Sequence, residues 1–180
     1  MVRRPIEGRS DSWAGYAACG WAVAFGLAHV YAGLGGARVL IRHSVGETRA
    51  SGDTFIAVGL FGTGLLCLVA GGLALALVQP WGLVVPRRML LVAGWSVAAI
   101  LFVHTAGAFA ILALAGADVI ELTTEPMRTY GPASVVRWNV FVFEPPFLLG
   151  GALFALTTRT FMRRTRPGPP VSQNPRRPQR

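Results

Sequence analysis

"MLLVAGWSVAAILFVHTAGAFAILAL", residues 89–114, decides the fold class, because this stretch contains no Asp, Glu, Lys or Arg. A helix needs about 20 consecutive apolar residues to cross a hydrocarbon core of about 30 Å. Three further segments are similarly apolar, at residues 13–34, 54–78 and 140–161, although the last one contains Glu144 near its start and Arg159 near its end. The sequence therefore predicts four transmembrane helices.

The composition of the whole chain is typical of an integral membrane protein. Of its 180 residues, 53% are hydrophobic and 14% are charged, and the mean hydropathy is +0.51. The connections are short and, together with the two tails, carry nearly all the charges, so we expect neighbouring helices to run in opposite directions. The first segment is longer than the apolar region of a cleaved signal peptide. We predict an all-α, four-helix up-down bundle at residues 13–161, with an N-terminal tail at 1–12.

The arginines predict which side of the membrane the chain ends occupy. Basic residues near helix ends favour the cytoplasmic side. Twelve of the 17 arginines lie in the N-terminal tail, in the loop at residues 79–88 and from residue 159 to the C-terminus, whereas five of the eight acidic residues lie in the other two loops. We therefore expect a multi-pass protein of a bacterial inner membrane, with both termini in the cytoplasm.

The C-terminal tail, residues 162–180, contributes strongly to a net charge of +9 and an isoelectric point of about 11.4. Its proline, glycine, glutamine and asparagine content predicts disorder. Basic residues beside a helix end attract anionic lipid head groups. We expect the bilayer and anionic lipids, not nucleic acid, as partners of this tail. A second copy of the chain and another membrane protein stay open as further partners.

Small residues on the apolar segments predict how the helices pack. In a bilayer, close helix contact depends on residues that let two backbones approach. The first segment has such residues at spacings of three and four, together with one histidine: Gly15, Cys19, Ala22, Gly26, His29 and Gly33. This spacing places them on one helix face, which favours a compact bundle.

Three ionisable residues lie in or at the edge of the apolar segments: His29, His104 and Glu144. At a rise of 1.5 Å per residue, all three fall in the outer half of the membrane. Pro145 and Pro146 favour a helix that starts at the prolines, with Glu144 as a capping group at the interface. The alternative is a helix that begins near Ser134 and continues through the prolines with a kink, which places Glu144 deeper.

These residues allow several functions. One hypothesis is a pocket for a small ligand or lipid head group, lined by His29, Tyr31, His104, Arg137 and Glu144. A second is a purely structural hydrogen bond, with His29 or His104 as the partner of Glu144. A third is a haem or zinc site in a redox enzyme subunit, with His29 and His104 as ligands. Acid–base catalysis by a His/Glu pair is a fourth. Since no catalytic triad or phosphate-binding loop is visible, we favour a non-enzymatic accessory or binding role without a cofactor.

Two motifs carry a resemblance to a known family. They are "HVYAGLGG", residues 29–36, and "RWNVFVFEPPFLLGGALFAL", residues 137–156. With these motifs the chain resembles an uncharacterised family of small four-helix bacterial membrane proteins, a domain of unknown function, over about residues 13–161. The resemblance implies the fold and the membrane placement and draws attention to His29 and Glu144, but it implies no activity.

Overall fold

The computed structural model describes residues 12–36, 54–117, 119 and 125–166. Every regular element within these ranges is helical. In chain order the elements are α1 (Trp13–Gly33), α2 (Thr54–Val78), a 3-10 turn (Pro80–Val84), α3 (Arg87–Gly116), α4 (Glu125–Tyr130), α5 (Pro132–Trp138), a π-helical turn (Asn139–Phe143) and α6 (Glu144–Arg164). The predicted all-α, four-helix bundle is confirmed.

The four long helices form two closely packed pairs. α1 packs mainly against α2, α3 packs mainly against α6, and a contact between α1 and α6 joins the pairs. Gly26 on α1 faces Gly64 on α2, and a Cβ atom added to Gly26 would lie 3.0 Å from the Gly64 carbonyl oxygen. Gly94 on α3 faces Thr158 on α6 in the same way. Each pair is antiparallel, as the short connections predict.

The centre of the bundle is built from small residues around one large ring. Ala18 on α1, Ala74 on α2 and Ala98 on α3 surround Phe154 on α6, and all four are buried. Three alanines leave room for a phenylalanine ring between helices that approach one another closely. The small-residue face of α1 is turned inward, since Gly15, Ala22 and Gly26 are buried.

Three helical regions are long and apolar enough to cross a membrane: Val58–Val78, Arg87–Gly116 and Pro132–Arg164. Large apolar side chains cover their outer surfaces, and Leu66 and Val103, for example, are exposed. This surface is typical of helices that face lipid. α1 also has 21 residues, but its tryptophans, tyrosines and histidine make it less apolar. That α1 crosses the membrane as well stays a prediction.

The last helical region corrects the preferred interpretation of Glu144. α6 does begin at Glu144, with the prolines in its first turn, but the chain is already helical from Pro132 onward. Phe143 has φ −84° and ψ −42° instead of the extended backbone of a helix cap. The amide of Glu144 donates to the carbonyl of Asn139, five residues earlier. The alternative geometry, a helix that continues through the prolines, is therefore the observed one.

The π-helical turn has a local cause. Pro145 and Pro146 have no amide hydrogen, and their rings clash with an ordinary α-helical turn before them. A wider turn before the prolines relieves this conflict without ending the helix. As a consequence Glu144 lies inside a long helical region and not at a free helix start.

Several predicted regions fall outside the described residues. These are both tails, at residues 1–11 and 167–180, together with residues 37–53 of the first predicted outer loop (between the first two apolar segments) and residues 118 and 120–124 of the second (between the last two). The described part of the second outer loop contains α4 and α5.

Candidate functional site

Glu144 is the most unusual side chain of the bundle, because it is a carboxylate with an exposed fraction of only 3%. Its Oε2 atom is buried and has no hydrogen-bond partner among the residues that the structure describes. Burying a carboxylate without hydrogen bonds is costly. Such a group is therefore a candidate for a binding or catalytic role.

His104 on α3 is the residue closest to forming an ion pair with Glu144. The distance from His104 Nε2 to Glu144 Oε1 is 3.9 Å, which is too long for a hydrogen bond. The two side chains differ in their surroundings, since 52% of the His104 side chain is exposed while that of Glu144 is enclosed. The pair is open on the histidine side and closed on the carboxylate side.

Aromatic rings form the apolar wall beside this pair. The imidazole of His104 stacks on Phe147 with ring centroids 4.1 Å apart. Phe147 follows Glu144 by three residues on α6, so its ring lies on the same helix face. Phe147 also contacts Phe25 of α1, edge to face, at 5.1 Å. The wall thus joins α1, α3 and α6.

His29 lies at the far end of the same series of rings. Its imidazole packs against Phe25 with centroids 4.5 Å apart, and its Nδ1 atom lies 2.8 Å from the carbonyl oxygen of Phe25. The ring contacts between His29 and His104 therefore pass through Phe25 and Phe147. Of the two histidines that the sequence offered as a partner for Glu144, the structure brings His104 to it.

Tyr31 and Arg137 lie apart from Glu144 in the described contacts. The Tyr31 side chain is exposed and its ring lies next to Gly36. Arg137 is also exposed, and its Nε atom donates to the carbonyl oxygen of Ala133, one turn earlier in α5, at 3.3 Å. The structure describes no contact of either residue with Glu144. Their participation in ligand binding stays a prediction.

The match with a family model is decisive for classification. A model described as "Protein of unknown function (DUF3995)" matches residues 22–154, which is most of the chain. The chain belongs to the DUF3995 family. This confirms the resemblance to an uncharacterised family. No curated protein matches the chain, and no solved structure does.

The DUF3995 match includes all five predicted site residues: His29, Tyr31, His104, Arg137 and Glu144. It provides no ligand or activity for them. Within the described ranges, no three His, Cys, Asp or Glu side chains are close enough together to hold a metal ion. A metal site made of three such side chains is therefore not observed in that part of the chain, and a haem held by His29 and His104 alone stays a hypothesis.

Sequence reasoning missed the aromatic wall of this DUF3995 protein. Phe25 precedes His29 by four residues and Phe147 follows Glu144 by three, so helical spacing was the available signal. Thr105 is a further buried polar residue, with a hydroxyl that has no partner in the described part of the chain. It directly follows His104 on α3.

Proposed function

We propose that this protein is a non-enzymatic membrane protein that binds an amine-bearing small molecule or lipid head group at Glu144 and His104. The observation that carries the proposal is the buried Oε2 atom of Glu144, which accepts no hydrogen bond from a described residue. A ligand with N–H donors supplies the missing partner. A cationic amine also neutralises the carboxylate, and charge-assisted hydrogen bonds are stronger than neutral ones.

The neighbouring groups favour an amine over a simple hydroxyl ligand. Phe147 lies on the same face of α6 as Glu144, and aromatic faces attract ammonium groups when water is excluded. The exposed His104 imidazole has a nitrogen 3.9 Å from Glu144 Oε1. A polar group of the ligand between these two atoms can contact both, as a bridging water would.

The position of the pair favours a ligand from the outer leaflet. Glu144 lies 20 residues before Arg164 at the other end of α6, which is roughly 30 Å along a helix. His104 lies 17 residues after Arg87 on α3, roughly 26 Å. If the arginine-rich ends face the cytoplasm, as the positive-inside rule favours, the pair lies near the outer interface. Lipid head groups with a primary amine are present in that region.

The test compares lipids that differ only in their amine. Full-length protein in detergent is incubated with phosphatidylethanolamine and phosphatidylcholine of identical acyl chains, and bound lipid is measured by native mass spectrometry. Wild type is expected to retain the primary-amine lipid over the quaternary one by about tenfold, since charge-assisted hydrogen bonds contribute about 1.5–3 kcal/mol. Glu144→Gln, which keeps the shape and removes the charge, is expected to abolish the preference.

Tyr16→Phe serves as the control, because Tyr16 lies in the first turn of α1, at the opposite end of the bundle from Glu144. It is expected to behave like wild type. Soluble ethanolamine, which carries the amine without acyl chains, is added as a competitor. If it displaces the lipid, the site recognises the head group alone; if it does not, the acyl chains are also required. Equal retention of both lipids by wild type, together with no binding of ethanolamine that depends on Glu144, overturns the proposal.

A further inference from the structure

A cleft lies at the opposite end of the bundle from Glu144, between the start of α1 and the end of α6. Its volume is about 260 Å³. The residues that line it are Trp13, Ala14, Leu156, Thr160, Arg163 and Arg164. Arg163 follows Glu144 by 19 residues on α6, so the two sites are roughly 28 Å apart along the helix.

The polar groups of this cleft favour an anion. Arg163 and Arg164 contribute two positive charges, and the Trp13 indole and the Thr160 hydroxyl add hydrogen-bond donors. No carboxylate is among the lining residues. Guanidinium groups bind phosphate through paired N–H donors, which gives geometric selectivity as well as attraction.

Arg163 differs from Arg87, a nearby arginine whose hydrogen bonds to α6 give it a structural role. Arg87 at the start of α3 donates from Nε to Thr165 Oγ1 at 2.8 Å and from Nη2 to the Met162 carbonyl oxygen at 3.4 Å. The Arg163 side chain is exposed, and its guanidinium group makes no hydrogen bond with a residue in the described ranges. Its guanidinium donors are therefore available to a ligand in the cleft.

The apolar lining indicates the source of the anion. Leu156 lies about two turns before Arg163 on α6, towards the middle of the bundle. Trp13 is half exposed at the start of α1, and tryptophan is typical of the membrane–water interface. The cleft thus has arginines at the end of the bundle and leucine towards the bilayer. This arrangement matches a phospholipid, whose phosphate group is attached to acyl chains.

We propose that this cleft binds the phosphate group of an anionic phospholipid. The residues that form the site lie on α1 and on α6, which continues to Arg164, so the site is separate from any contact that residues beyond α6 make with lipid. It is also independent of the amine site at Glu144. Binding here fastens the first helix to the last through a shared lipid.

The experiment measures lipid retention by the full-length protein in detergent. Equal amounts of phosphatidylglycerol and phosphatidylcholine with the same acyl chains are added, and bound lipid is counted by native mass spectrometry. Arg163→Gln is expected to reduce retention of phosphatidylglycerol about fivefold, and Arg163→Glu more, in line with about 1 kcal/mol per basic residue near anionic lipid. Retention of phosphatidylcholine is expected to stay constant.

Arg159→Gln and Arg159→Glu are the matched controls. Arg159 is also exposed, lies one turn earlier on α6 and does not line the cleft. These variants make the same changes in net charge and are expected to retain phosphatidylglycerol like wild type. Equal losses for the Arg159 and Arg163 variants show general charge attraction and overturn the proposal.

Two further arms identify the ligand and exclude unfolding. Inorganic phosphate is added in excess as a competitor and is expected to leave phosphatidylglycerol bound. Displacement of the lipid shows that the free ion occupies the site, and the ligand is then a soluble phosphate instead of a lipid. Melting temperatures of all variants in detergent are expected to agree. Glu144→Gln is expected to leave phosphatidylglycerol retention unchanged, so failure of the amine proposal and failure of this one are distinguishable.

Discussion

His104 on α3 and Glu144 on α6 approach to 3.9 Å, measured from Nε2 to Oε1, without reaching hydrogen-bond distance. The carboxylate is enclosed by protein, whereas half of the histidine side chain is exposed. The carboxylate therefore receives little compensation for its burial from the described residues. Two roles for Glu144 are therefore to be tested: stabilising the bundle and binding a ligand.

Replacing Glu144 by an apolar residue of similar length tests which role applies. Glu144→Met is expected to raise the free energy of unfolding in detergent by about 1 kcal/mol or more, because buried charges are often less stable than apolar replacements. The same variant is expected to lose the amine-dependent lipid preference. The measurement is thermal or denaturant unfolding without added lipid. A clear loss of stability in Glu144→Met assigns the carboxylate a structural role instead.

Phe147 is expected to contribute to stability through its two ring contacts. Phe147→Leu removes the stacking on His104 and the edge contact with Phe25, and aromatic pairs of this kind contribute about 0.5–1.5 kcal/mol each. We expect a loss of about 1–2 kcal/mol in the free energy of unfolding. Phe141→Leu is the control, since the Phe141 side chain is 75% exposed. Equal effects of the two changes contradict the importance of the aromatic wall.

The contact between Gly26 and Gly64 is expected to be intolerant of larger residues. A Cβ atom at Gly64 would lie 2.9 Å from Val30 Cγ2 and 3.1 Å from the Gly26 carbonyl oxygen. Gly64→Leu should therefore separate α1 from α2 and lower stability by roughly 1–3 kcal/mol or more. Gly72→Leu is the control on the same helix, because nothing lies within 4 Å of its added Cβ. Thermal unfolding of both variants checks the prediction, and a Gly64 variant as stable as the Gly72 variant refutes it.

Arg87 is expected to fasten the start of α3 to the end of α6. Arg87→Gln removes its hydrogen bonds to Thr165 and Met162, and a loss of about 1 kcal/mol is expected. Arg88→Gln removes the same charge from an exposed neighbour and should leave stability within about 0.5 kcal/mol of wild type. Hydrogen exchange of the α3 and α6 ends gives the local readout, and unchanged protection there in Arg87→Gln argues against this role.

The orientation in the membrane is tested with single cysteines. In a background with Cys19→Ala and Cys67→Ala, Ser51→Cys reports on the first outer loop and Ser172→Cys on the C-terminal tail. Because arginines favour the cytoplasmic side, an impermeant maleimide is expected to label intact cells at position 51 and not at 172. Labelling at 172 contradicts the proposed orientation, and labelling at neither position contradicts the crossing of α1.

The sequence by itself determined the helical fold class and its membrane character. Both depend on local properties, namely the length of an uncharged segment and the polarity of its flanks. Residues 89–114 predict a long apolar helix without information from any other segment. Small residues at helical spacing likewise indicated the packed face of α1, since that pattern depends only on the period of the helix.

Only the tertiary structure decided what surrounds Glu144. Two prolines allowed either a helix start or a continuous helix, and in the folded chain the helix continues through a π-helical turn before them. The selection of His104 over His29, and the rings of Phe25 and Phe147 between them, depended on how each helix is rotated about its axis. A shift of one residue turns a side chain by about 100°, because a helical turn contains 3.6 residues. Rotation is fixed by contacts between helices distant in sequence, and these contacts exist only in the folded bundle.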